Sequence, residues 1–101
     1  MITLNDIETI EGLDDKATEE DYYYAMQRAI NGGAWGLQGS YGRAMMDAIS
    51  AGRCMLGRDQ ATDYYGNTIP SRDDVKAGTY GSYEYVIEMQ GHAWADKMGS
   101  L

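Results

Sequence analysis

At 101 residues the chain has room for one domain with a single modest core. Its 44% apolar content excludes global disorder, no apolar run approaches a membrane span, and the lone cysteine, Cys54, excludes an internal disulfide and argues against a cysteine-built zinc site. The net charge of −8 is unevenly spread: residues 1–21 hold eight acids (Asp6, Glu8, Glu11, Asp14, Asp15, Glu19, Glu20, Asp21) against Lys16 alone, whereas the remaining eighty hold eight acids and seven bases.

Such a local field repels nucleic acid and anionic membranes and steers the protein toward a basic surface. No basic-then-apolar leader opens the chain, so a reducing, cytoplasmic setting is expected.

Thr3-Leu-Asn-Asp6 has the form of a capping box, with Asp6 in the role usually taken by Glu or Gln. It predicts a short helix that buries Leu4, Ile7 and Ile10, exposes Glu8 and Glu11, and stops at Gly12. Residues 13–17 form a connection. Thr18-Glu-Glu-Asp21 repeats the start signal, with three acids placed where the helix dipole favours them. The helix Tyr22 to Ile30 follows and ends at Asn31-Gly32-Gly33, and Tyr22 (or Tyr23), Met26, Ala29 and Ile30 form its apolar stripe.

A stretch with glycine at every third position comes next, from Gly33 through Gly36 and Gly39 to Gly42. Four triplets without proline exclude collagen. The spacing fits neither a dinucleotide-binding fingerprint nor a Walker loop. A Gly-x-x-Gly loop of RNA-binding type is present at Gly36–Gly39, but no lysine cluster accompanies it. The stretch reads as a tight connection in which glycines let backbones approach while Trp35, Leu37 and Tyr41 plug the core.

A third helix, roughly Tyr41 to Ser50, places Tyr41, Ala44, Met45, Ala48 and Ile49 on one face, with Gly52 closing it and Arg43 and Asp47 as a solvent-side pair. Cys54-Met55-Leu56 reads as a buried extended segment or brief strand. From Gly57 to Gly81 the signals are those of loops, with a turn at Tyr65-Gly-Asn-Thr, an extended Ile69 before Pro70, and a helical turn opened by Ser71-Arg-Asp-Asp74. A hairpin pairing residues near Met55 with residues near Thr68 is one arrangement. Ser82 caps a last helix from Tyr83 to about Met98. Its polar stripe is Glu84, Glu88, His92 and Asp96, with Val86, Ile87, Ala93 and Trp94 near the other side. Alternation over residues 83–90 and a glycine at position 91 favour a strand instead, but the polar stripe continues past residue 90, so a helix is expected. The expected fold is a mainly α single domain, residues 1–101, of about four helices with an irregular or two-stranded segment between the third and the last.

The chemistry is sparse. Glu88, His92 and Asp96 span about two turns of one helix, too far apart to converge on a metal, and read as a solvated face. Cys54 with His92 lacks an orienting third group, and Cys54 reads as a small core residue. The acid pairs Asp14-Asp15 and Asp73-Asp74 sit where caps and loops place acids anyway. No Ser–His–Asp arrangement is identifiable. Neither enzyme activity, nor a cofactor, nor a metal is expected. The bases after residue 21 (Arg28, Arg43, Arg53, Arg58, Arg72, Lys76, Lys97) form no run, so direct nucleic-acid binding is not expected either.

Nine tyrosines, two tryptophans and no phenylalanine favour core edges and binding surfaces, and seven methionines favour adaptable contacts. In size, charge and tyrosine-rich texture the whole chain resembles the small acidic proteins encoded by bacteriophages, a group that includes anti-CRISPR and other anti-defence inhibitors. The resemblance implies a cytosolic protein that acts by binding another protein. On the residues themselves, the expected contact is the acidic segment with the tyrosines that follow it: Asp14, Asp15, Glu19, Glu20, Tyr22, Tyr23 and Tyr24. The alternative is a self-associating accessory protein that pairs through its Tyr- and Met-rich surfaces.

Overall fold

The computed structural model describes residues 2–37 and 39–101, so Gln38, within the Gly36–Gly39 spacing, lies outside the described residues. Both capping boxes form. Asp6 N donates to Thr3 Oγ1 and Thr3 N to Asp6 Oδ2, each at 3.2 Å, and open α1, Leu4–Ile10. Thr18 and Asp21 exchange the same pair at 3.0 and 3.1 Å and open α2, Glu19–Asn31. Gly12 (φ 76°) ends α1 in a left-handed turn in which Leu13 N reaches back to Glu8 O at 2.8 Å and Gly12 N to Thr9 O. Gly52 (φ 74°) does the same for α3, Gly39–Ser50, through Arg53 N to Ala48 O and Gly52 N to Ile49 O, both at 3.0 Å.

A 3₁₀ turn, Ala34–Gly36, joins α2 to α3 and buries Trp35. Leu37, expected in the core, is exposed, and Tyr41 is only half-buried. An added Cβ at Gly36 or Gly42 would meet nothing within 4 Å, so these two glycines are not there for close backbone approach.

After α3, Cys54, Met55 and Leu56 cross the core as a buried extended segment without strand pairing. The hairpin lies further on. β1, Ala61–Thr62, pairs antiparallel with β2, Thr68–Ile69, in the register Ala61–Ile69 and Thr62–Thr68. The strand near Thr68 was legible, but its partner is not the Met55 region. The amide and carbonyl of Met55 are taken by a side chain instead. Gln27 accepts from Met55 N at 2.9 Å and donates to Met55 O at 3.0 Å, so the segment needs no neighbouring strand. Ser71 and Asp74 close a hydrogen-bonded turn, with Asp74 N donating to Ser71 O at 3.1 Å.

The last helical stretch is two helices: α4, Tyr83–Gln90, capped by Ser82, and α5, His92–Gly99. Gly91 separates them at φ 94° and ψ 167°, a conformation open essentially to glycine alone. The chain folds back there, so Val86 of α4 and Ala95 and Met98 of α5 all reach the core, while Glu84, Glu88, His92, Ala93 and Asp96 stay exposed. The fold is thus mainly α, with five α-helices and one two-stranded sheet among the described residues. Helix α1 packs on α2, α3 on α2, and α4 on α5, in a slab 35 × 33 × 19 Å, two helix layers thick.

The core is rich in methionine: Met26, Met45, Met55 and Met98 are all fully buried beside Ile30, Trp35, Ile49 and Val86. The docked side of α1 differs from the expected one. Leu4 is exposed, Ile7 and Ile10 are half-buried, and Asp6 is 2% exposed. One Asp6 oxygen caps α1. The other accepts from Arg28 of α2, with Nε at 2.9 Å and Nη2 at 2.8 Å. Burial alone raises this carboxyl's pKa, but the hydrogen bonds from Arg28 and Thr3 outweigh it and hold the pKa below 3.8.

Two predictions follow from these polar anchors. Replacing Gln27 with Leu leaves the buried amide and carbonyl of Met55 without partners, at about 1–3 kcal/mol each. Urea unfolding should show a loss of roughly 2–6 kcal/mol, and a loss below about 1 kcal/mol would mean that the segment is held by packing alone. Because the folded pKa of Asp6 is depressed, its contribution to stability is complete above the unfolded value and disappears as pH falls through the folded one. Urea midpoints followed into acid should therefore fall more steeply for the wild type than for Asp6→Asn, and parallel curves would remove Asp6 from the account.

Candidate protein-binding surfaces

The acids of the N-terminal region lie on α1, on the connection and on the first turn of α2, and most are engaged. Asp6 and Glu19 are ion-paired, the latter with Arg53 at 3.2 Å. Glu11 accepts from the Tyr41 hydroxyl at 2.8 Å and Glu20 from the Tyr24 hydroxyl at 3.0 Å. Asp14 accepts from Lys16 N at 3.1 Å, and Asp15 is exposed. Glu11, Glu19 and Glu20 are therefore held in place while they stay exposed. Each carboxylate acts back on its tyrosine. The hydrogen bond to Glu20 raises the Tyr24 pKa, and burial together with Glu11 raises that of Tyr41.

Tyr22, Tyr23 and Tyr24 are all half-buried and all pack against the core. Tyr22 and Tyr23 touch each other, whereas Tyr24 packs on Trp94. Tyr24 stacks on Trp94 at 5.5 Å with Lys97 over its ring. Tyr23 lies under the Arg53 guanidinium at 5.0 Å and meets Tyr22 edge to face. Tyr22 alone turns toward α1 and α3, in a shallow recess of about 180 Å³ with Ile10, Glu11, Tyr41 and Ala44. Burial is the main cause that raises its pKa, followed by Tyr23, Cys54 and Asp47.

On the other flank of α3 a larger groove of about 330 Å³ opens between that helix and the hairpin. Gly39, Gly42, Arg43, Met46 and Asp47 form one wall, Asp63, Tyr64, Tyr65 and Ile69 the other, and Trp35 closes it. The hairpin loop is organised by Asp63. One carboxylate oxygen accepts from Tyr65 N at 2.9 Å and Asn67 N at 2.8 Å, and Gly66 (φ 86°) completes the turn. These bonds, the Asn67 amide first, depress the Asp63 pKa. The loop thereby presents Tyr64 and Tyr65, 60% and 68% exposed, as an edge-to-face pair. Arg43 and Asp47, expected to pair along the helix, form no ion pair within 4 Å among the described residues. The groove went unread in the sequence. The Asp63-Tyr-Tyr-Gly-Asn run was its signal, an Asx-type turn that leaves two aromatic side chains outside the core.

Cys54 is buried, and its thiol is pushed up to about 12 by that burial. His92 is exposed at the start of α5, on the far side of the Gly91 break from Glu88. Among the described residues no three His, Cys, Asp or Glu side chains are grouped to hold a metal, and no helix is long and apolar enough to cross a membrane.

No protein-family model matches the chain, and no curated protein or solved structure matches it either. Its surfaces have to be read on their own chemistry.

Cys54 should be unreactive toward a thiol reagent at mildly alkaline pH until the protein is unfolded in guanidinium, which should release one equivalent. Rapid labelling of the native state would mean that the thiol is accessible.

Proposed function

We propose that the protein is a non-catalytic binder that engages the basic surface of another protein and inhibits it by occupying that surface, as a cytoplasmic inhibitor of anti-defence type would. The observation that carries the reading is the segregation of charge. Eight of sixteen acids occupy the first 21 residues, and the carboxylates of Glu11 and Glu20 are fixed by tyrosine hydroxyls. Fixed, outward charge steers a partner of opposite sign at little ordering cost.

Self-association is the second reading, favoured by the exposed Leu37, Met46, Tyr64 and Tyr65. Light scattering on a sizing column separates the two, because a monomer at high concentration removes the second.

Glu19 and Glu20 hold Arg53 and Tyr24, so neutralising them would disturb packing as well as charge. The informative variant is Glu8→Gln with Asp14→Asn and Asp15→Asn. In stopped-flow association with the partner captured from a lysate of source cells, the triple variant should bind about ten-fold more slowly at low salt and with a flatter salt dependence. Its melting temperature should be nearly unchanged. Identical association kinetics at low salt would reduce the acidic region to a solubilising face.

A further inference from the structure

The groove between α3 and the hairpin contains a glycine that the fold does not require. Gly42 lies inside α3, where glycine is about 1 kcal/mol less favourable than alanine, and its backbone is ordinary helix rather than left-handed. An added Cβ there would meet no atom within 4 Å. Gly39, one turn earlier, has a reason in the fold, because the Tyr65 ring lies over it. Gly42 has none except the space it leaves, and that space is the groove. Around it stand exposed Met46, Tyr64 and Tyr65, with Trp35 and Ile69 deeper. The charged rim has two carboxylates, Asp47 and Asp63, against one guanidinium, Arg43. Asp63 is fixed by the loop amides, and Asp47 is exposed with no ion-pair partner among the described residues.

We propose that this groove is a docking site for a segment of a partner protein that inserts one large apolar or aromatic side chain over Gly42 and sets a lysine or arginine beside it against Asp47. The proposal rests on the reading of the protein as a binder of basic surfaces and names the contact by which such a surface is anchored. Charge complementarity selects the occupant. An apolar anchor alone would be satisfied by a second copy of the chain, but two copies at −8 each repel, whereas a basic segment is drawn to the acidic rim. The groove's volume suits one side chain of tryptophan or leucine size, the kind of central anchor that dominates protein interfaces. The recess that holds Glu11 and the groove lie on the two flanks of α3, with Tyr41 and Ala44 toward one and Gly42, Met46 and Asp47 toward the other. One partner surface can therefore meet both across a single helix.

The test is selection of a displayed library of random linear peptides on the immobilised full chain, followed by affinity measurement on three variants. Gly42→Leu fills the groove, Asp47→Lys reverses its rim, and Gly42→Ala probes the glycine. Selected peptides should share a large apolar residue next to Lys or Arg. They should bind Gly42→Leu about 30-fold more weakly, as when an anchor is shut out of its pocket, and should also weaken on Asp47→Lys. Should Gly42→Leu fail to fold, Asp47→Lys still decides, since it changes only an exposed side chain. Gly42→Ala should melt no lower than the wild type, and a lower melting temperature would make the glycine structural and overturn the argument. No enriched peptide, or peptides without a basic residue, would also overturn it. So would a wild-type dimer that Gly42→Leu dissolves, which would install a second copy as the occupant. Peptides that bind Gly42→Leu unchanged but lose affinity for the Glu8/Asp14/Asp15 variant would overturn the groove while leaving the acidic-face reading intact.

Discussion

The arrangement depends on one buried amide. Gln27 faces the core from α2 with no exposed surface, and both ends of its side chain are spent on the backbone of Met55. The segment 54–56 passes through the interior without a strand beside it: the amides of Cys54 and Leu56 find the carbonyls of Ala48 and Gly81, and Met55 is left to a side chain. The same polar line continues along α2. Asn31 accepts from Gln27 Nε2 at 3.1 Å and from Arg72 Nη2 at 3.2 Å, and donates to Leu101 O at 2.9 Å. Arg72 in turn donates Nε to Leu56 O at 2.8 Å. Two amides and a guanidinium thus tie α2 to the core segment, to the loop beyond the hairpin and to the last residue. Every buried side-chain polar atom among the described residues finds a partner. A network completed in this way gives a methionine core, which by itself specifies packing weakly, a single register.

The bias toward tyrosine over phenylalanine follows from where the rings sit. Tyr24, Tyr41 and Tyr83 each pack a half-buried ring at the core's edge, and these three and the half-buried Tyr85 extend a hydroxyl to an acceptor: Glu20, Glu11, Asp96 and the carbonyl of Ser50. In a slab two layers thick much of the apolar material lies near an edge, and phenylalanine there would bury a ring and leave nothing to meet the water or the neighbouring acids. Three of the four acceptors are carboxylates. Three of the sixteen acids thus serve as acceptors for tyrosine hydroxyls.

What the sequence disclosed, and what it withheld, divides along the range of the forces involved. The starts at Thr3 and Thr18 and the stops at Gly12 and Gly52 were legible, because caps and left-handed turns are made within six residues. The stripe of Met26, Ala29 and Ile30 and that of Met45, Ala48 and Ile49 were legible because both helices bury a broad face. Helix α1 was misread at Leu4 because its two turns are docked by a charge. The partner of Asp6 is 22 residues away, and nothing local distinguishes a capping acid from one that also accepts an arginine. Gln27 was missed for the same reason at a separation of 28 residues. The hairpin was given the wrong partner strand because Met55 is apolar and extended, as a strand is, and only Gln27 removes its need for one. Gly91 was weighed as a helix penalty, whereas the chain uses it as a hinge that lets α4 and α5 pack on each other.

The groove is the place where local and global preferences disagree. Over most of the chain each residue choice agrees with its structural setting, including the glycines at positive φ, which the turns demand. Gly42 lowers the propensity of its own helix without relieving a clash or enabling a turn, and Tyr64 and Tyr65 are exposed by a loop that Asp63 rigidifies. Exposed aromatics on a mobile tip would be ordinary surface. Aromatics held by an Asx turn opposite an emptied helix face form a preorganised concavity, which spares a partner the entropy of ordering it. On the other flank of α3 Glu11 is held by the Tyr41 hydroxyl. Both surfaces are fixed by internal hydrogen bonds, and that shared property, more than the charge or the apolar area alone, supports the proposal that this small fold is a binder.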